Sequence, residues 1–280
     1  MTSGTHIAII GGGNLGSAIA RGLVQLGTTS ADALTITRRS PAGIEALRQQ
    51  GYSAISDNLE AVRNASLVVV AVRPTQMDTV LAELTPGLNP KQHTVISTAS
   101  DVRIEDIRRH LGDEIPVLRA MPNVAVAAGA SMTCLACEPT TPADARAAAA
   151  ALFETLGHVE FIEEAQMTPA TALCACGVAF FLRAIRAASQ GGVQVGFHAD
   201  EAIRLAAQTA KGAAELVLAK STHPESLIDT VTTPLGITIA GLNEMEHQGF
   251  SSSLIRGIVL SAEKANELYA SRQSSEPVDD

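Results

Sequence analysis

The chain has no tryptophan, two tyrosines and six phenylalanines in 280 residues, so aliphatic and small side chains must fill its core. It has no basic run. Its 20 Lys and Arg are outnumbered by 29 Asp and Glu, and the formal charge of −9 argues against a nucleic-acid partner. Long apolar runs are missing as well: the segment 172–182 meets Arg183 after eleven residues, fewer than a bilayer crossing needs. A first strand that starts at residue 6 leaves no room for a signal peptide, so a cytoplasmic location is expected. There is no repeat and no low-complexity linker. Cysteine is scarce, with four residues placed as Cys134-x-x-Cys137 and Cys174-x-Cys176. No His lies at ligand spacing from either pair, and the first pair sits in a β-like stretch with no helix N-terminus to activate a thiol. Small buried residues are therefore expected there, not a zinc or redox centre. The seven His are scattered and suggest neither a triad nor a metal site.

What is present begins with an apolar strand at 6–10, followed by Gly11-Gly12-Gly13-Asn14-Leu15-Gly16. Gly11, Gly13 and Gly16 fill the three positions of G-x-G-x-x-G. The first permits a tight turn, the second lets backbone approach a pyrophosphate, and the third allows close helix–strand packing. A helical pattern follows with Leu15, Ile19, Leu23 and Leu26 on one face and Gly27 as its stop. Strand, glycines and helix in that order read as a dinucleotide site. At the end of a second strand, 34–37, NAD sites usually carry an Asp or Glu for the ribose hydroxyl. This chain has Arg38-Arg39-Ser40 there, which suits a 2′-phosphate. NADPH is the expected cofactor, with NADH second.

Strand candidates at 67–72, 94–97, 117–121, 131–136 and 159–161 alternate with helical patterns at 41–50, 75–84, 104–111 and 142–156. The continuous apolar run at 67–72 suits a central parallel strand. This is the pattern of an α/β fold: a doubly wound Rossmann-type parallel sheet over residues 1–160. From about Glu163 the strands stop. Helical patterns at 168–190, 199–220, 224–230, 237–247 and 252–269 form an all-α domain over 161–272, and the polar stretch 273–280 is expected to be disordered. The helical half is rich in small residues, and with few aromatics it either packs on itself or completes its core by sharing helices with a second copy.

In that half, Thr233-Pro234-Leu235-Gly236 is followed at once by a helix. Its first turn leaves backbone N–H groups unpaired at the positive end of the dipole, where a carboxylate or phosphate can dock. Thr233 and Thr238 bring two hydroxyls to the same spot.

The order Gly11-x-Gly13-Asn14-Leu15-Gly16, Ala71-Val72-Arg73-Pro74, Arg119-Ala120-Met121-Pro122-Asn123, Leu205-Ala206-Ala207-Gln208-Thr209 and Thr233-Pro234-x-Gly236-x-Thr238 resembles the pyrroline-5-carboxylate reductases over nearly the whole chain. These enzymes reduce a five-membered cyclic imino acid to proline, the final step of proline synthesis. The resemblance implies that Gly11 to Leu15 hold the pyrophosphate and that Asn58 and Ala71, Val72, Arg73 and Pro74 contact the nucleotide. Thr98, Ala99, Ser100 and Asn123 would lie toward the nicotinamide. Thr233, Gly236, Ile237 and Thr238 would hold the substrate, a small cyclic imino acid, with Thr238 as the catalytic hydroxyl beside the ring nitrogen. It also implies a homo-oligomer built from dimers; the charge and the short apolar segment leave neither a nucleic-acid nor a membrane partner expected. The chain departs from the family pattern at Leu235, where Gly is usual, and at Ile237, Val124-Ala125 and Cys176-Gly177-Val178-Ala179-Phe180. Leu235 takes positive φ less readily than Gly, so a locally different turn is expected. Two other readings remain open: a reductase of another cyclic imine or of a small hydroxyacid, and a non-catalytic NADPH-binding module.

Overall fold

The computed structural model describes residues 5–27, 29–220 and 222–273. These divide into two compact units, the first comprising 5–175 with 262–273 and the second 176–261. The polar stretch beyond Gln273 lies outside the described residues; Gln273 itself ends a helix.

The first unit alternates strands and helices: β1 (Ile7–Ile10), α1 (Asn14–Gln25), β2 (Leu34–Thr37), α2 (Pro41–Gln49), β3 (Ser53–Ile55), α3 (Asn58–Val62), β4 (Leu67–Val70), α4 (Met77–Leu84), β5 (Thr94–Ser97), α5 (Ile104–Leu111), β6 (Val117–Met121), β7 (Ser131–Cys137), α6 (Ala143–Glu154), β8 (Gly157–Phe161) and α7 (Met167–Ala170). The eight strands form one sheet in the order β3-β2-β1-β4-β5-β6-β7-β8. Every neighbouring pair is parallel except β6 and β7.

Strand periodicity explains the two cores. Ile7 and Ile9 of β1 point to a cluster with Leu23, Leu34 and Phe153, while Ala8 and Ile10 point to one with Val70, Leu81 and Ile107. All residues of β1 and β4 are buried, as strands covered by helices on both faces must be. Branched aliphatics supply this core where aromatics are lacking; Phe153 is its largest fully buried side chain. The chain leaves β1 toward β2 and β3, then crosses back to β4. The strand order therefore reverses beside β1, the place where open α/β sheets bind ligands at their strand C-termini.

Two elements were not expected. β3 has only three residues at the sheet edge, and α3 has five, both too short to show a period. The apolar run at 67–72 stops being a strand after Val70, because Arg73-Pro74 leads into a 3₁₀ turn before α4.

After α7 the chain makes a π-helical turn, Thr171–Cys176, and then enters the second unit as α8 (Gly177–Gln194). The helical run Glu164–Gln194 has 31 residues and a mean hydropathy of 1.6 in its apolar window. By length and composition alone it could cross a membrane, so the eleven-residue count at 172–182 understates the folded helix, which Arg183 does not end. The unit continues with α9 (Ala199–Lys220), α10 (Pro224–Val231), α11 (Ile237–His247) and the start of α12 (Phe250–Gln273). α8 and α9 pack as a hairpin, close enough that a Cβ on Gly192 would meet the Ala202 Cβ at 3.1 Å. Little else is enclosed. Phe181 is 60% exposed, Ile255 60% and Leu218 78%, so this unit displays the side chains that a core would bury.

Candidate active site

The glycine loop is held by the second strand. Gly12 N–H donates to the Thr37 carbonyl at 2.6 Å, and Gly11 N–H to Thr37 Oγ1 at 3.2 Å. Gly11 has φ +106°, and a Cβ there would stand 2.6 Å from the Ala71 carbonyl. A Cβ on Gly16 would collide with the Gly11 carbonyl, so this glycine lets α1 rest on the end of β1. Gly13 differs: nothing lies within 4 Å of its absent Cβ. It is also the N-cap of α1, with no side chain capping the helix. Gly13 therefore leaves the orphan N–H groups of Asn14 and Leu15 open to a phosphate.

That opening belongs to a cavity of about 880 Å³ at the C-terminal ends of β1, β2 and β4. Gly11–Gly13, Arg38–Ser40, Asn58 and Ala71–Arg73 all line it. Asn14, Leu15, Gly16 and Pro74 do not, and neither do Thr98, Ala99, Ser100 or Asn123. Thr98 and Asn123 are buried: Thr98 Oγ1 donates to the Val70 carbonyl at 3.2 Å, and Asn123 Nδ2 to the Cys174 carbonyl at 3.1 Å. Ser100 is pinned through its carbonyl, which accepts from Arg119 Nη2 at 2.7 Å. These residues follow β5 and β6, strands parallel to β1, so they stand farther along the same edge of the sheet.

The two arginines have different tasks. Arg38 Nη1 donates to the Gly12 carbonyl at 2.7 Å, and its side chain lies over Gly43 in the first turn of α2. Arg38 thus braces the glycine loop. Arg39 is exposed in the cavity wall, next to Ser40, whose Oγ caps α2 by accepting from Gly43 N–H. A dianion at Arg39 would also meet the positive end of α2. Sequence reasoning missed Ser56, Gln76, Thr79 and Glu83 in the wall; Glu83 Oε2 accepts from Asn58 Nδ2 at 3.0 Å. Thr79 and Glu83 lie on α4, Gln76 ends the 3₁₀ turn before it and Ser56 precedes α3, and only the signal of Arg73-Pro74 just ahead of α4 points toward the first three.

In the helical unit, Thr233, Gly236, Ile237 and Thr238 meet at the start of α11. Gly236 is the N-cap, and no side chain caps the helix. Gly236 N–H donates to the Thr233 carbonyl at 2.9 Å, and a Cβ on Gly236 would stand 2.5 Å from Thr233 Oγ1. Glycine at 236 is thus what lets the Thr233 hydroxyl lie against the mouth of the helix. Ile237 and Thr238 are exposed in the first turn. Leu235, where a locally different turn is expected, is fully exposed and takes φ +59°. It is the only non-glycine at positive φ among the described residues. Such a conformation costs an L-residue about 1–2 kcal/mol. Leu235→Gly is therefore expected to raise stability to chemical denaturation by about 1 kcal/mol, less whatever glycine adds to unfolded-chain entropy. A denaturation midpoint that moves down would mean that Leu235 is not strained.

Family comparison fits both units. Residues 6–101 match the model described as NADP oxidoreductase coenzyme F420-dependent, and 164–268 match that described as pyrroline-5-carboxylate reductase dimerisation. The chain is 48% identical over 280 residues to pyrroline-5-carboxylate reductase 1 of Dictyostelium discoideum, covering 96% of this chain and 51% of that one. It thus spans about half the length of that relative. Pyrroline-5-carboxylate reductase 2 of the same organism is 44% identical, with 95% of this chain and 93% of the relative covered. Among solved structures, a pyrroline-5-carboxylate reductase from Coxiella burnetii superposes with a TM-score of 0.85 at 29% identity, over 95% of this chain and 99% of that one. With near-complete coverage of a relative at 44% identity, the chain belongs to the pyrroline-5-carboxylate reductase family.

Proposed function

We propose that this chain is an NADPH-dependent oxidoreductase that reduces 1-pyrroline-5-carboxylate to L-proline, the last step of proline synthesis. The observation that carries this reading is the uncapped helix mouth at Gly236, with Thr233 and Thr238 beside it, in a chain that also has a dinucleotide cradle. A non-catalytic binding module needs the cradle and has no use for the helix mouth. In the domain reading, residues 1–160 bind the cofactor and 161–272 carry the substrate-binding helix and the dimer interface.

The cradle suits the cofactor. Its open Gly13 leaves space for a pyrophosphate, and Arg39 and Ser40 meet the 2′-phosphate that distinguishes NADPH. Asn58 and Ala71–Arg73 flank the nucleotide. Thr98, Ala99, Ser100 and Asn123, farther along the sheet edge, belong to the nicotinamide side. Bound NADPH supplies the hydride.

The chain's own residues supply position and charge. The N–H groups of Ile237 and Thr238 hold the substrate carboxylate, assisted by the Thr233 hydroxyl and the helix dipole. The Thr238 hydroxyl donates a hydrogen bond to the ring nitrogen and delivers or relays the proton that nitrogen gains. An iminium is already electrophilic, so orientation and charge complementarity carry most of the rate.

The exposed apolar faces of α8, α9 and α12 are assigned to a second copy of the chain, so that the α8 part of the run Glu164–Gln194, Gly177–Gln194, meets protein in preference to lipid. Its support is the match of 164–268 to a dimerisation family and the small residues along α8 and α9. The protein is accordingly read as a soluble, cytoplasmic homo-oligomer built from dimers.

The function is tested by NADPH and NADH oxidation with pyrroline-5-carboxylate and with its six-membered homologue. Rapid turnover of the five-membered imine is expected. Turnover of the homologue alone would give the enzyme a different imine, with Leu235 and Ile237 selecting it. Cofactor binding without turnover on either would leave only the binding module. The cofactor choice has its own check: Arg39→Ala removes a charge-assisted contact of about 1.5–3 kcal/mol. The NADPH-over-NADH preference in kcat/KM should then fall tenfold or more, since about 1.4 kcal/mol is a factor of ten. An unchanged ratio would mean that Arg39 does not read the phosphate.

A further inference from the structure

Two of the four cysteines meet in the fold although 40 residues separate them in the chain. Cys134 on β7 and Cys174 on the π-helical turn bring their Sγ atoms to 3.9 Å. A disulfide has an S–S length of about 2.05 Å, so bonding requires the side chains to close by roughly 1.8 Å. The C-x-x-C spacing in the sequence is misleading. Cys134 and Cys137 lie three apart on one strand and so point to opposite faces of the sheet. Cys134 enters the small cluster with Met121, Met167 and Ala170, whereas Cys137 packs on the side of Phe153.

The two thiols in contact are unequal. Cys134 is 4% exposed, and the hydrogen bond it shares with Cys174, with burial adding to the effect, holds its thiol protonated. The same hydrogen bond draws Cys174 down to about 7, against the opposing effect of burial. Cys174 is only half-buried, so a small oxidant can reach it. An accessible thiolate beside a buried partner thiol is the arrangement that favours oxidation to a disulfide over irreversible oxidation.

We propose that Cys134 and Cys174 form a reversible intrachain disulfide in response to hydrogen peroxide, with Cys174 as the attacking sulfur and Cys134 as the resolving one. The Cys174 thiolate attacks one peroxide oxygen, the O–O bond breaks, and Cys174 becomes a sulfenic acid as hydroxide leaves. The Cys134 sulfur then attacks the Cys174 sulfur. An S–S bond forms, the S–O bond breaks, and the departing hydroxide takes the Cys134 proton. In balance, two thiols and one peroxide give one disulfide and two waters; the sulfurs lose two electrons and the peroxide gains them. The inference depends only on the fold of the first unit and stands whichever substrate the enzyme takes.

The test uses the full-length protein, treated with hydrogen peroxide, quenched, unfolded and titrated for thiols, then mapped by peptide mass spectrometry. Four thiols should fall to two, with the Cys134 peptide joined to the Cys174 peptide, and dithiothreitol should restore all four. A Cys137→Ser/Cys176→Ser double variant keeps only the proposed pair and should lose both remaining thiols. Cys174→Ser should form no intrachain link. A link through Cys137 or Cys176, or oxidation that ends as an unlinked sulfinic acid, would overturn the assignment.

Discussion

Thr238→Ala is expected to lower the turnover number about a hundredfold, the lower end of what a positioned proton donor contributes. NADPH affinity should stay nearly unchanged. The reason for the split is structural: the cradle around Gly11–Gly13, Arg39 and Asn58 is built from the first unit, whereas Thr238 stands in the first turn of α11 in the second. Threonine is not needed to start that helix, since Gly236 is the N-cap and no side chain caps it. Removing the hydroxyl therefore takes away a donor without unwinding the turn. Stopped-flow NADPH binding and steady-state turnover on pyrroline-5-carboxylate, measured together, separate the two effects. Thr238→Ser retains the hydroxyl and should recover most of the rate. Equal losses in binding and turnover, or a serine variant no better than alanine, would remove Thr238 from the chemistry.

The second large effect distinguishes two glycines three residues apart. Gly16→Ala places a methyl against the Gly11 backbone carbonyl, with the Ile9 side chain at 3.1 Å as its other neighbour. Overpacking of this kind costs about 1–3 kcal/mol, and a contact with fixed backbone belongs at the upper end. Gly13→Ala meets nothing within 4 Å, so the unliganded protein should keep its thermal midpoint within a degree or two. Its methyl instead enters the space proposed for the pyrophosphate, and the NADPH dissociation constant should rise at least tenfold, which is about 1.4 kcal/mol. Differential scanning calorimetry with and without NADPH reads both quantities. If Gly13→Ala loses stability without cofactor, or Gly16→Ala loses none, the two glycines do not have these separate roles.

Much of the first unit was legible because its signals are local. β1, the glycines and α1 follow one another within twenty residues, and each has its own period or turn residue. The uninterrupted apolar runs of β1 and β4 mark strands covered on both faces. The short elements were not legible: β3 and α3 contain too few residues for a pattern, and sheet pairing or an Asp57 cap holds them in place. The site divides in the same way. The sequence identifies Arg38 and Arg39 as a pair, but only the fold gives Arg38 to the Gly12 carbonyl and leaves Arg39 facing the cavity. It flags Leu235 as costly at positive φ, and only the fold shows that Leu235 adopts that conformation, with its side chain fully exposed.

The amino-acid sequence by itself determined the doubly wound class, the glycine loop between β1 and α1, the arginine pair after β2, and the helix mouth at Gly236. Each of these depends on neighbours within a few residues, whose spacing sets backbone conformation directly. Tertiary structure alone decided which strand lies beside which, which arginine is free, and that Cys134 meets Cys174 and turns away from Cys137. Those outcomes depend on contacts between residues tens of positions apart, and such contacts exist only once the sheet has closed around its two cores.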